Sequence, residues 1–191
     1  MKRYKIIILE GLPGIGKTTI TKYIAEHYSD VTTVDEIIYE KIFANINLYQ
    51  HMYFENDDLK INKAVNSYKA IVDRGPISTL SYNFARGIID KNFLNQVNMA
   101  TEWFEKYQGF LKSDDVLVIY LTNNGLRYRI SYDNSMDPYG SLDNQVLLEN
   151  ISTYNCKRYC KNLIIKDINQ EKLEVVADEI INKYLCSWRN Y

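Results

Sequence analysis

The chain has 191 residues, a formal net charge of −1, 46% hydrophobic residues and 25% charged residues. That length suits a single domain, and the apolar fraction is enough for a packed core, which excludes a wholly disordered or fibrous chain. The near-neutral charge excludes the basic surface of a dedicated nucleic-acid-binding domain. No apolar run approaches the roughly 20 residues that a membrane span requires. We therefore expect neither a nucleic acid polymer nor a membrane as a partner.

The cysteines and the first residues of the chain favour a cytoplasmic protein. The three cysteines are Cys156, Cys160 and Cys186, an odd number that argues against a disulfide framework and suggests packing roles. The apolar run 6–9 follows basic residues but ends at Glu10, so it is shorter than the roughly 7 residues of a minimal signal-peptide core.

Short apolar segments alternate with segments of helical periodicity along the chain. The predicted strands are residues 4–9, 31–34, 69–72, 116–121 and 162–165. The predicted helices are residues 17–28, two or three helices within 36–68 with a break near 56–58, 77–90, 93–112, one beginning near 124, 143–160 and 171–186. The segment 131–142, rich in Ser, Asp and Asn, predicts a loop. This alternation predicts an α/β fold with a parallel sheet covered on both faces.

Residues 11–18, Gly-Leu-Pro-Gly-Ile-Gly-Lys-Thr, match the pattern G-x-x-x-x-G-K-[ST] between the first predicted strand and helix. In that pattern the backbone N–H groups of the loop form a nest for phosphate oxygens. Lys17 supplies positive charge for the β- and γ-phosphates, and the Thr18 hydroxyl can ligate Mg²⁺. The sequence therefore predicts a site for a nucleoside triphosphate with Mg²⁺. The expected nucleotide-binding residues are Gly11, Pro13, Gly14, Ile15, Gly16, Lys17, Thr18 and Thr19.

A second carboxylate, Asp73, follows the third predicted strand and precedes Arg74. Residues that leave this strand of a parallel P-loop sheet arrive beside the phosphate loop. Asp73 can therefore join the Mg²⁺ shell or accept a proton, and Arg74 offers a bidentate fork for phosphate oxygens of either substrate. The strand 116–121 ends at Thr122 without an acid, which favours Asp73. A capping aspartate in a solvated turn is the alternative.

Two stretches resemble the thymidylate kinases. Residues 9–19, LEGLPGIGKTT, are similar to the opening of that family, and residues 73–82, DRGPISTLSY, resemble its Asp-Arg-Tyr stretch, which deoxynucleoside kinases carry in a Glu-Arg-Ser version. The resemblance implies one P-loop kinase domain over residues 1–191, with a three-layer α/β/α P-loop NTPase fold and a five-stranded parallel sheet in the order 2-3-1-4-5. It also implies a substrate-binding arm at about 35–68 and a lid at about 127–142. Since related kinases are often dimers, it further suggests a homodimer.

The phosphate loop and the arm both depart from the thymidylate kinase pattern. Pro13 stands where that family has an aspartate, and residues 35–72 contain no arginine for a substrate phosphate. The second strand is instead followed by Asp35 and Glu36, either of which can activate or orient an attacking hydroxyl. Deoxynucleoside kinases place a glutamate there, and shikimate kinase an aspartate. We expect Asp35 to be catalytic and Glu36 to contact the substrate; capping of the next helix is the alternative.

Further candidates lie in the arm and the lid. Gln50, Tyr53 and Phe54 can stack on and hydrogen-bond a base, although the same spacing also suits a helix core. Arg129 matches the lid-entry arginine of the family and is expected to offset charge during transfer, whereas Arg127 is a candidate nucleotide contact. A solvated surface arginine is the alternative for each.

Together these residues predict a kinase that transfers the γ-phosphate of MgATP to a nucleoside or nucleotide. Two alternatives stay open: a P-loop switch or ATPase without a small acceptor, and a kinase of a non-nucleotide metabolite hydroxyl. The arm without arginine favours a neutral hydroxyl. The absence of a basic stripe argues against a kinase of polynucleotide ends.

Overall fold

The computed structural model describes residues 2–39, 50–123, 137–169 and 171–185. Its strands are β1 Ile6–Glu10, β2 Thr32–Val34, β3 Ala70–Asp73, β4 Val116–Thr122 and β5 Leu163–Asp167. Within the described residues they form one sheet in the order β2-β3-β1-β4-β5, and every neighbouring pair is parallel. The predicted strand order and direction are confirmed, and β2 and β5 are the edges of the sheet.

Helices follow the strands as the alternating pattern predicts. They are α1 Lys17–His27, α2 Gln50–Asn66, α3 Pro76–Ile89, α4 Leu94–Phe104, α5 Gln108–Leu111, α6 Leu142–Tyr159 and α7 Leu173–Glu179. Short 3-10 turns, Lys91–Phe93 and Glu105–Tyr107, precede and follow α4, and a π-helical turn, Ile180–Tyr184, continues α7. None of the described helices is long and apolar enough to cross a membrane. The helix predicted near 124 lies outside the described residues.

β1 is buried along its whole length because helices cover both faces of the sheet. Ile6 and Ile8 pack into a core formed with α2, α3, α4 and α6. Ile7 and Leu9 face the other way and pack into a second core with α1 and α7. This alternation of side chains along a buried strand produces the expected three layers. Cys156 is buried as a free thiol in the first core.

The predicted helix break near 56–58 is wrong, because α2 runs through these residues without interruption. Polar residues of this kind favour turns when their side chains bond to local backbone. Here they bond to other elements instead. Asp57 accepts a hydrogen bond from the Thr79 hydroxyl at 2.6 Å, and Asp58 accepts one from the Trp103 indole at 3.0 Å. Tertiary partners thus stabilise a helix that the local sequence disfavours.

Candidate active site

The phosphate loop connects β1 to α1 through glycines in the left-handed region of backbone conformation. Gly11, Gly14 and Gly16 have φ values of +136°, +77° and +103°, which glycine adopts without steric cost. A Cβ at Gly11 would lie 2.6 Å from the carbonyl oxygen of Leu121 on β4, so the loop passes directly over the neighbouring strand. Gly16 is the N-cap of α1, and the positive end of that helix dipole therefore lies at the loop.

Lys17 is folded back onto the phosphate loop. Its side chain is buried, and its Nζ donates to the carbonyl oxygens of Gly11 and Leu12, both at 2.8 Å. Burial and the nearby charge of Arg74 lower the pKa of Lys17 to about 7. The hydrogen-bond acceptors of Lys17 in the described part of the chain are neutral carbonyl oxygens. A buried ammonium gains from an anion, so this side chain is suited to phosphate oxygens.

Thr18 and Asp73 meet beside the loop, as the sequence predicts. The Thr18 hydroxyl donates to Asp73 Oδ2 at 2.6 Å, while Asp73 Oδ1 is buried with no hydrogen-bond partner in the described part of the chain. Burial raises the pKa of Asp73 above the usual aspartate range. These residues fit Mg²⁺, because an unpartnered carboxylate oxygen and a hydroxyl are oxygen ligands of the kind it takes beside substrate phosphates.

Arg74 forms an ion pair with Glu36, the second residue after β2. Arg74 Nε lies 2.7 Å from Glu36 Oε1, without the alignment of a regular hydrogen bond. The guanidinium is largely buried, whereas the glutamate side chain is 45% exposed. A carboxylate from the end of β2 thus faces the arginine that follows β3. Asp35 is exposed and does not line the pocket that contains this ion pair.

Asn56 on α2 fixes the backbone on which Glu36 sits. Its Nδ2 donates to the Glu36 carbonyl at 2.9 Å. Its Oδ1 accepts from the N–H groups of Ile38 and Tyr39 at 2.8 and 3.1 Å. One buried amide therefore satisfies three backbone groups of the irregular segment after β2. The arm helix consequently holds the candidate acceptor-side carboxylate in place.

Lys17, Thr18, Glu36 and Arg74 open onto one pocket of about 400 Å³. Asp73 is buried next to this pocket and connects to it through its hydrogen bond with Thr18. The pocket is lined by Pro13, Gly14, Gly16, Lys17, Thr18, Thr19, Glu36, Arg74 and Tyr139. Gly11 and Ile15 support the loop from beneath: Gly11 is buried against β4, and Ile15 packs in the second core. Phosphate-binding, metal-binding and acceptor-side candidates therefore lie in a single cleft.

Comparison with known proteins gives likeness in structure alone. No protein-family model and no curated protein sequence matches the chain. The thymidylate kinase of Candida albicans superposes with a TM-score of 0.65 at 16% identity, covering 94% of this chain and 92% of its own. The deoxyadenosine kinase of M. mycoides with bound dATP has a TM-score of 0.62 at 16% identity, covering 93% and 98%. The thymidylate kinase of Ehrlichia chaffeensis has a TM-score of 0.55 at 16% identity, covering 94% and 98%.

The chain has the fold of the P-loop nucleoside and nucleotide kinases. Its topology, its phosphate loop and its near-complete coverage of these structures agree on this point. At such low identity the shared property is the fold, and the reaction has to be argued from the residues of the cleft.

In this P-loop kinase fold the arm residues divide between the core and the cleft. Phe54 is buried in the first core, where its ring stacks on Trp103 with centroids 4.7 Å apart. The Phe54 ring therefore stacks on Trp103 inside the core, and Phe54 is not among the residues that line the pocket. Tyr53 is half-buried and is not among the pocket-lining residues, and burial together with the charge of Glu36 raises its pKa. The Gln50 side chain lies outside the described residues.

The described end of the predicted lid contributes Tyr139, which the sequence did not single out. Tyr139 lines the pocket, and its ring centroid is 5.3 Å from that of Tyr82 on α3. Asp137 anchors this segment: it accepts from the Tyr82 hydroxyl at 3.0 Å and lies 3.4 Å from an Arg86 guanidinium nitrogen. A tyrosine in a polar loop is the only sequence signal for this position. Arg127 and Arg129 lie outside the described residues.

Proposed function

We propose that the protein is an ATP-dependent kinase that transfers the γ-phosphate of MgATP to a nucleoside or nucleotide. The observation that supports this is one cleft in which a phosphate loop, the Thr18–Asp73 pair and the Arg74–Glu36 pair meet. The neighbouring structures named as thymidylate and deoxyadenosine kinases support the acceptor class. The fold alone would suit many reactions, so the proposal rests on the groups in the cleft.

On the donor side, the phosphate loop and the positive end of α1 bind the triphosphate. Lys17 exchanges its present carbonyl acceptors for the β- and γ-phosphate oxygens, which stabilises the charge that develops there. Thr18 and Asp73 would hold Mg²⁺, which, when bound, neutralises charge on the β- and γ-phosphates. Arg74 supplies a second cation that stabilises the charge on the phosphoryl group in the transition state.

On the acceptor side, Glu36 is the carboxylate that faces the cleft. An acceptor hydroxyl oxygen forms a bond to the γ-phosphorus while the bond to the β–γ bridging oxygen breaks, and ADP leaves. The hydroxyl proton passes to Glu36. A monophosphate acceptor would already present an anionic oxygen and would need cations instead, and residues 35–72 contain no arginine. This charge pattern favours a nucleoside hydroxyl over a monophosphate.

The direct test is a transfer assay with the purified chain, MgATP and matched pairs of nucleosides and their 5′-monophosphates. We expect formation of ADP together with a phosphorylated nucleoside, and no transfer by the Lys17→Ala variant. ADP formation without a phosphorylated product would replace the proposal with an ATPase or switch. Transfer only to a non-nucleotide metabolite hydroxyl would keep the kinase and reject its acceptor class.

A further inference from the structure

Glu10, the last residue of β1, is a buried acid that the mechanism above does not use. It is 1% exposed. Its Oε1 accepts from the N–H of Gly75 at 3.0 Å, and its Oε2 accepts from the hydroxyl of Ser78. A carboxylate removed from water is costly unless its oxygens are bonded, so these two contacts account for its place in the core.

One partner of Glu10 lies in the turn that joins β3 to α3, and the other lies at the start of α3. Gly75 directly follows Arg74 and is the N-cap of α3, and Ser78 lies in the first turn of that helix. A Cβ at Gly75 would lie 2.9 Å from Ile8 Cγ2 and 3.5 Å from Glu10 Oε1, so the turn rests directly on β1. The carboxylate also meets the positive end of the α3 dipole.

Arg74 is held in an unfavourable backbone conformation at this turn. Its φ is +60°, and it is the only non-glycine residue with positive φ in the described ranges. That conformation is unfavourable for an L-residue and persists only where its surroundings impose it. The N–H of Arg74 donates to the Leu9 carbonyl at 2.9 Å, and the next N–H, of Gly75, donates to Glu10. The last two residues of β1 thus fix two consecutive amides around the strained residue.

We propose that Glu10 is a positioning residue for phosphoryl transfer: it clamps the turn after β3 so that Arg74 faces the cleft and Asp73 stays bonded to Thr18. The inference rests on the proposed function, in which those two residues act on the phosphates and the metal. The charges of Arg74, Lys60 and Lys17 lower the pKa of Glu10 and so partly oppose the effect of its burial. Glu10 itself is absent from the cleft lining, so it acts through the turn and not by touching a substrate.

The activity test compares variants of adjacent residues in the first turn of α3. Ser78→Ala removes one bond to Glu10, whereas Thr79→Val removes the equivalent bond to Asp57 and is the matched control. Because small misplacements of a catalytic group are costly, we expect Ser78→Ala to lower kcat about tenfold with the KM for MgATP within about threefold. Thr79→Val should lower the melting temperature similarly and leave kcat within about twofold. Equal losses of kcat in both variants would reduce Glu10 to a stabilising role.

Two substitutions of Glu10 itself separate hydrogen bonding from packing. Glu10→Gln retains an acceptor for the Gly75 N–H and a polar partner for Ser78, so we expect its kcat within about threefold of wild type. Glu10→Ala leaves both groups unpartnered and should lower kcat about a hundredfold. A Glu10→Ala variant that folds and keeps its kcat would overturn the proposal. If Glu10→Ala does not fold, the comparison of kcat between Ser78→Ala and Thr79→Val tests the proposal instead.

Hydrogen exchange at the Gly75 amide tests the clamp without any assay of activity. In Glu10→Ala we expect exchange at Gly75 to accelerate about a hundredfold, with amides of Ile71 and Val72 in β3 unchanged. If the wild type shows no kinase activity but exchange at Gly75 still accelerates in Glu10→Ala, the proposed function is rejected and the clamp is retained. Unchanged exchange at Gly75 in the folded variant would reject the clamp, whatever the activity.

Discussion

At the scale of single residues, the two acids after β2 have different surroundings. Glu36 contacts Arg74 and lines the cleft, whereas Asp35 is exposed and lies outside its lining. We expect Glu36→Gln to lower kcat for a nucleoside acceptor about 10²- to 10³-fold with little change in the KM for MgATP, because a general base acts on the chemical step. Asp35→Asn is measured beside it, and a larger loss in that variant would transfer the proton-accepting role to Asp35.

Two glycines of the phosphate loop differ in the space around their Cα atoms. A Cβ at Gly11 meets the Leu121 carbonyl at 2.6 Å, whereas a Cβ at Gly14 meets nothing within 4 Å. Both have positive φ, so each alanine variant carries backbone strain of about 1 kcal/mol. Gly11→Ala adds a backbone clash and should lose about 2–4 kcal/mol of unfolding free energy. Urea denaturation measures both variants, and equal losses would contradict the close approach to β4.

Glu10 gives the native state a pH dependence. Burial raises its pKa from 4.5 to about 7 in the folded protein, so between those values the native state binds a proton that the unfolded chain has released. Stability is therefore lost as the pH rises through this window, by up to about 3 kcal/mol. We expect Glu10→Gln, which cannot titrate, to gain stability relative to wild type between pH 5 and about 7.5. Unfolding free energies that stay parallel across this range would show that Glu10 does not titrate there.

At the scale of elements, α3 and α4 approach each other at a glycine. A Cβ at Gly87 would lie 2.4 Å from Val97 Cγ2, so we expect Gly87→Ala to cost about 1–3 kcal/mol through overpacking. Val97→Ala removes that methyl group. In the Val97→Ala background, Gly87→Ala should instead stabilise by about 0.5–1 kcal/mol, because alanine favours the helix. A thermal or urea double-mutant cycle measures the coupling, and additive effects would refute the contact.

Element positions were largely predictable because their signals are local. Consecutive apolar residues predict β1 and β4, and the glycine pattern after β1 predicts the phosphate loop. The uninterrupted α2 was not predictable, since Asn56, Asp57 and Asp58 read locally as helix-breaking residues. Their partners are distant in sequence, and only the tertiary structure brings those partners close.

The same distinction applies to the candidate site. Asp73 ends β3, and the loop residues and Arg74 directly follow strand ends, so the topology of the parallel sheet brings them together. The buried position of Glu10 and its two hydrogen bonds were not predictable from the sequence. A single acid at the end of an apolar run gives no indication that Gly75 and Ser78 will bond to it. The choice of Glu36 over Asp35 depends on which of two adjacent side chains faces inward, and a short irregular segment has no periodicity that would indicate it.

At the scale of the whole molecule, burial is uneven across the sheet. β1 and β3 are buried along their full lengths, and β4 at all but its last residue, whereas no residue of β5 is fully buried. We therefore expect the slowest amide hydrogen exchange in β1, β3 and β4, near the rate set by global unfolding, and faster exchange in β5. Exchange resolved by residue measures this order. Protection of β5 equal to that of β1 would show that the edge opens only when the whole domain unfolds.

The exposed edge of the sheet at β5 also affects the tendency of the protein to aggregate at high concentration. Within the described residues, β5 pairs with β4 alone, and its Ile165 is 45% exposed. An unpaired apolar edge is a template for strand addition and aggregation. Lys166 and Asp167 interrupt that edge with charge, and Lys166 is held by Glu171 and Glu179. Because charge on an edge strand disfavours strand addition, a redesign for concentrated solutions should preserve Lys166 and Asp167.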